Sequence, residues 1–195
     1  MKYALILLLL LGISSPTMAQ SIKWAQDASH SNIGFSVKHL VISTATGNFK
    51  NYSVTVLSDK EDFSDAQIDV TINTASIYTD NENRDNHLRS DDFFNSEKYP
   101  SMTFKSKSMK KVGKNKYKLT GDLTIRNITK TVTLDVEFGG KVKDPWGNTK
   151  AGFRIEGVIN RFDYGLKWDK ALEAGGLVVD KEIRIVCDIE LAKQA

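Results

Sequence analysis

The residues of this 195-residue chain whose types could do chemistry are few: His30, His39, His87, Cys187 and the serine beside the first histidine, Ser31. In HSNIGFSVKHL, a strand would put Ile33, Phe35, Val37 and His39 on one face. Gly34, Ser36, Lys38, Leu40 and His30 would take the other. The two histidines then point to opposite sides, which opposes joint metal coordination. His87 has no HxxxH or CxxC partner, and zinc sites use at least three protein ligands. Ser31 lies outside any GxSxG elbow, so it is a sequence neighbour of His30 rather than part of a triad. His39 therefore reads as an inward polar group, held structurally or in contact with a ligand. No catalytic or metal-binding set is predicted.

Two polar clusters remain. NRFDYGLKW carries Asn160, Arg161 and Asp163 ahead of Gly165, and NENRDNHL carries Arg84 and Asp85. Arg161 either pairs with a carboxylate and fastens the insertion to the sheet, or else Arg161 or Arg84 orients a ligand's polar head at the cavity mouth. The basic run MKKVGKNKYK reads as a solvated hairpin tip more readily than as a contact with an anionic membrane. The sequons at Asn51 and Asn127 are read as chance matches.

The elements that must position these residues are strands. KEIRIVCDIEL places Ile183, Ile185, Cys187, Ile189 and Leu191 on one face, so Cys187 is expected inside and unreactive. The same alternation puts Val132, Leu134, Val136 and Phe138 together, and likewise Tyr117, Leu119, Leu123 and Ile125. It recurs at Ile68, Val70 and Ile72, at Tyr52, Val54 and Val56, and at Ala151, Phe153 and Ile155. KKVGKNK and DPWGN punctuate these runs as hairpin turns. Many short alternating strands predict an all-β sandwich or barrel in one domain. TDNENRDNHLRSDDFFNSEKYP breaks the pattern and predicts a short helical insertion. Thr79-x-x-Glu82 would form its capping box, and Ser90 would cap a second turn carrying Phe93 and Phe94.

The N-terminus, MKYALILLLLLGISSPTMAQ, has the layout of a cleaved secretory leader over residues 1–19, too short to span a bilayer of about 20 residues. Residues 20–195 would be the exported domain. A formal charge of only +3 argues against nucleic acid, which requires a concentrated basic face. One cysteine excludes an internal disulfide.

Trp24-x-x-Asp27-x-x-His30-Ser31, FSVKHL, Gly47-x-Phe49, SIYTDNENRDNHLRSDDFF, YPSMTFKS, the GDLTI run and GFRIEGVINRFDYGL occur in the order seen in one family. Together they resemble the YceI-like family of lipocalin-like, polyisoprenoid-binding periplasmic proteins. Asn127 stands where that family usually has a turn glycine; asparagine tolerates positive φ well, so the turn should survive. The resemblance implies an eight-stranded antiparallel barrel holding a long isoprenoid or quinone-like lipid, with no established catalytic mechanism and no cofactor besides that ligand. Strand facing, not the resemblance, offers Phe35, Val37, Phe153 and Ile155 as lining and places His39 on the same face. Phe93, Phe94 and Met102 are offered as lid or rim, and Arg161 as a head-group contact. The expected partner is a long-chain apolar small molecule in the periplasm. Transient membrane contact and a monomeric or homodimeric state are both compatible with the sequence. The alternatives are an enzyme using His39, Arg161 or Asp163 on such a lipid, and a structural barrel filled by its own side chains, which has the same alternation.

Overall fold

The structure, a computed structural model, describes residues 21–173 and 175–194; the leader expected over residues 1–19 lies outside them. Its strands are β1 (Lys23–Gln26), β2 (Asn32–His39), β3 (Ser43–Phe49), β4 (Tyr52–Leu57), β5 (Gln67–Asn73) and β6 (Ile77–Tyr78). After the helix α1 (Glu82–Arg89) come β7 (Ser101–Gly113), β8 (Lys116–Ile125), β9 (Ile128–Lys143), β10 (Thr149–Asn160) and β11 (Val179–Lys193). β1 pairs with both β4 and β11. The ring β1-β4-β5-β7-β8-β9-β10-β11 therefore closes on itself as an eight-stranded antiparallel barrel. β2, β3 and β6 extend the sheet from β11 beyond the end of β1 and complete the wall at that end.

The inward residues are those that the period-two pattern selects, because successive strand side chains point to opposite faces. Ile155 lies between Val136 of β9 and Cys187 of β11. Tyr117, Leu119, Leu123 and Ile125 of β8 are all buried, as is Cys187. β8 turns into β9 through Arg126 and Asn127, at φ 50° and 59°, so asparagine does adopt the left-handed conformation at the expected turn position. At Gly139–Gly140 a bulge lets Phe138 pair with Phe153 and Lys141 with Ala151, which sets Val142 on the outer face opposite Lys150.

Two details of the insertion differ from expectation. The cap of α1 is Asn81, whose side chain accepts from the Arg84 amide at 3.0 Å. Thr79 instead donates its amide and hydroxyl to the buried Asp85 carboxylate at 2.9 and 2.6 Å, which leaves it no role in a capping box with Glu82. Ser90 ends the helix, its amide and hydroxyl both donating to the His87 carbonyl; its own carbonyl accepts from the Phe93 and Asn95 amides, so the expected second turn begins there, but the Ser90 side chain does not cap it. The turns that follow still deliver Phe93 and Phe94 to the barrel.

The seam between β1 and β11 carries a charge cluster. Lys150 bonds the Asp27 carboxylate and lies 3.2 Å from Glu190, while His30 Nδ1 lies 3.2 Å from Asp27. Asp27, His30 and Glu190 are close enough to share a cation. The Lys150 ammonium already bridges both carboxylates there. It also holds the Asp27 carboxyl down at about 2, below its ordinary 3.8. A depressed folded-state pKa adds stability that is fully present above the ordinary value and lost as pH falls through the folded one. Acid titration should therefore remove stability between pH 3.8 and about 2. Asp27→Asn should flatten that limb in urea unfolding followed against pH; an unchanged limb would show that the seam pair contributes nothing.

Candidate functional site

The barrel is hollow. A cavity of about 230 Å³ runs along its axis, walled by β-strand side chains and by Leu88, Phe93 and Phe94 from the insertion. Its size exceeds the roughly 150 Å³ that lets an apolar void stay dry and admit a benzene-sized guest. The close-packed alternative, a barrel filled by its own side chains, is thereby set aside for this chain.

One end is plugged. Phe63, 1% exposed, sits at φ 58°, a conformation a bulky residue adopts only under constraint. The constraint is the Asp65 carboxylate, which accepts from the Ser58 hydroxyl at 2.6 Å and from the Asp59 amide at 2.9 Å, tying the loop back on itself. The Phe63 ring then packs on Trp24 (4.9 Å), Phe153 (5.0 Å) and Phe138 (5.6 Å). Sequence periodicity missed Phe63 altogether because it lies in a loop.

The other end carries the insertion, with Phe94 edge-on to Phe49 at 5.7 Å and Phe93 beside His87 at 5.1 Å. Arg161 lies beneath it, 2% exposed, and is the single charged residue in the cavity wall among the described residues. Its Nε donates to the Asp180 carbonyl, one terminal nitrogen to Leu166 and the other to Val179, at 2.9, 2.9 and 3.0 Å. Arg161 thus meets backbone carbonyls and not the carboxylate expected of a fastening pair. Burial pulls its pKa down, and Asp169 and Asp180 partly restore it. The fastening role falls to Arg126, which the sequence reading did not single out. From the tight β8–β9 turn it donates to the carbonyls of Asp91, Phe93 and Gly165 and pairs with the Asp91 carboxylate at 2.8 Å. Arg84 turns away to Thr79, donating to its hydroxyl at 2.7 Å and its carbonyl at 2.6 Å.

Of the residues that strand facing offered as ligand contacts, Phe35, Val37, Phe93, Phe94, Met102, Phe153, Ile155 and Arg161 all line the cavity. Met102 does so from β7, as part of the barrel wall, and not from a lid or rim. His39 falls outside the lining, at the last position of β2 where the chain turns through Leu40 and Val41 at positive φ. Asp163 is also outside it and exposed. The lining therefore presents no imidazole or carboxylate among the described residues, and its one thiol, Cys187, is pushed up to about 11 by burial. What such a surface can do is displace water from an apolar chain and hold a single polar group near Arg161.

The chain matches the YceI-like domain model over residues 24–191. A UPF0312 protein of Staphylococcus aureus (strain N315) is 40% identical over 167 residues, covering 85% of this chain and 95% of that protein. Among solved structures, the YCEI protein of Campylobacter jejuni superposes with a TM-score of 0.68 at 37% identity, covering 81% of this chain and 90% of the other. A polyisoprenoid binding domain from Saccharophagus degradans, implicated in plant cell wall breakdown, superposes at 0.67 with 14% identity, covering 88% and 98%. Burkholderia cenocepacia BcnA superposes at 0.74 with 24% identity, covering 85% and 98%. The last two likenesses concern the fold.

Proposed function

The chain belongs to the YceI-like family, and from that membership and the cavity we propose that it is a binding protein that sequesters or carries one long isoprenoid or quinone-like lipid. The observation that carries this reading is the apolar cavity inside the closed ring of strands, with Arg161 as its one charged wall residue among the described residues. A hollow of 230 Å³ forfeits packing worth on the order of 5 kcal/mol at about 24 cal/mol per Å³. A guest chain recovers part of that loss and gains roughly 0.8 kcal/mol for each methylene it withdraws from water. The polyisoprenoid-binding neighbour of the same fold supports the choice of ligand class, and the absence of acid–base groups from the described lining supports binding over turnover. Arg161 would meet the polar end of the guest. The leader expected over residues 1–19 would place the protein in the periplasm, with the lipid as its sole bound group.

Native mass spectrometry of protein purified from its own host, followed by organic extraction, tests the reading. The expected result is a reproducible adduct of lipid mass that disappears on denaturation and reappears in the extract. A clean unliganded mass, together with no uptake of an offered prenyl lipid, would overturn it.

A further inference from the structure

The plugged end of the barrel carries a surface that ligand binding does not explain. The β9–β10 hairpin projects past its neighbours and presents Trp146, 84% exposed, at its tip. The tip is rigidly built. Asp144 Oδ1 accepts from the amides of Trp146 (3.0 Å) and Asn148 (2.8 Å), its other oxygen takes the Asn148 side chain, and Gly147 supplies φ 89°. The Asp144 charge is thus engaged within its own loop, and the indole is left with solvent around it. Val142 on the same hairpin and Val112 on the adjoining β7–β8 hairpin are more than half exposed as well.

Lysines surround these apolar groups. Lys110, Lys114, Lys116 and Lys143 are exposed on the two hairpins, with no carboxylate within ion-pair distance among the described residues. Lys111 and Lys141 are matched to Asp62 and Glu61. An exposed tryptophan at a projecting tip, with unpaired lysines on its own hairpin and on the adjoining one, suits a bilayer interface, where an indole has both an apolar and a wet side and lysine stems reach anionic head groups. The opposite end also exposes apolar residues, Leu40, Val41 and Ile42, but there the charges alternate, Asp180 and Glu182 with Lys181 between them and Lys38 on the paired strand.

We infer that the end of the barrel bearing Trp146, Val142 and Val112 with Lys110, Lys114, Lys116 and Lys143 is a docking face for an anionic phospholipid bilayer. This holds whatever the cavity contains.

The test uses the full mature chain and vesicles of phosphatidylcholine with or without phosphatidylglycerol. Flotation should carry the protein with the anionic vesicles only, and added salt should release it. Trp24 is buried and Trp168 half-buried, so the blue shift of emission on binding should come from Trp146. Trp146→Ser should lower partitioning by about tenfold. Lys114→Gln with Lys116→Gln should lower it further, by roughly fivefold for each lysine removed. Ile42→Ser, at the other end, should leave it unchanged. Equal binding to neutral vesicles, undiminished binding by Trp146→Ser, or loss in Ile42→Ser instead would overturn the assignment. So would a protein that ignores both vesicles and dimerises through Trp146, which would make the face a contact between two copies.

Discussion

Arg161→Ala is expected to lower the free energy of unfolding by about 3–5 kcal/mol. Three backbone carbonyls, of Leu166, Val179 and Asp180, converge on one guanidinium that is 2% exposed, and alanine takes this donor from all three, the Leu166 carbonyl being the one fully buried. The guanidinium also stacks 4.3 Å from the Phe162 ring, so its removal costs packing as well as hydrogen bonds. Arg161→Lys should recover only part of the loss, because an ammonium is a point charge and cannot spread donors across the same arc. Equilibrium urea unfolding measures both variants. A loss below about 1 kcal/mol, the size expected of a single ordinary hydrogen bond, would show that Arg161 is not an anchor of this end of the barrel. The same variant bears on ligand selection: if Arg161 meets the guest's polar end, a folded Arg161→Lys protein should shift preference among prenyl lipids that differ only in that end.

Ile155→Trp should have the second large effect, and on binding, not stability. Ile155 sits mid-strand on β10, between Val136 and Cys187, with its side chain in the cavity wall. An indole there occupies volume that a guest would otherwise fill, roughly that of three methylenes. At about 0.8 kcal/mol each the loss is near 2.4 kcal/mol, or about 60-fold in affinity. Because the ring enters a void, unfolding should change by less than about 1.5 kcal/mol, within the range of tolerated core swaps. Titration with a fluorescent prenyl probe alongside urea unfolding separates the outcomes. Unimpaired uptake in a variant destabilised by overpacking would mean that the guest does not use this cavity.

Much of the wall was legible from alternation because a half-buried strand repeats every two residues, and a register slip would turn its whole apolar set to solvent. That is why Cys187, Phe153, Ile155 and the β8 and β9 faces could be assigned from the sequence. β7 was not legible as a strand. Its pairing with β8 shifts between Ser106 and Ser108, so Met102 and Phe104 lie on one phase and Met109 on the other, with lysines between. Such a bulge breaks the period without breaking the strand, and Met102 then looks like a rim residue when it is wall. His39 failed for the opposite reason. The period was right, but β2 ends there, and no pattern within a strand states how far the cavity extends beyond it.

The arginines show the limit most plainly. Arg161 and Arg126 both carry side chains long enough to fasten the insertion, and the sequence contains no term that ranks them. Which one reaches Asp91 and Phe93, and which one gathers the carbonyls of Leu166, Val179 and Asp180, depends on where chain segments far apart in sequence cross. By itself the sequence determined the strand faces and the inward thiol, both of which rest on interactions between near neighbours along the chain. Only the tertiary structure decided that the barrel is hollow and that Phe63 stoppers it. Both depend on the balance between the circumference of a closed sheet and the summed volume of the side chains it encloses, a balance struck only when the ring of strands shuts.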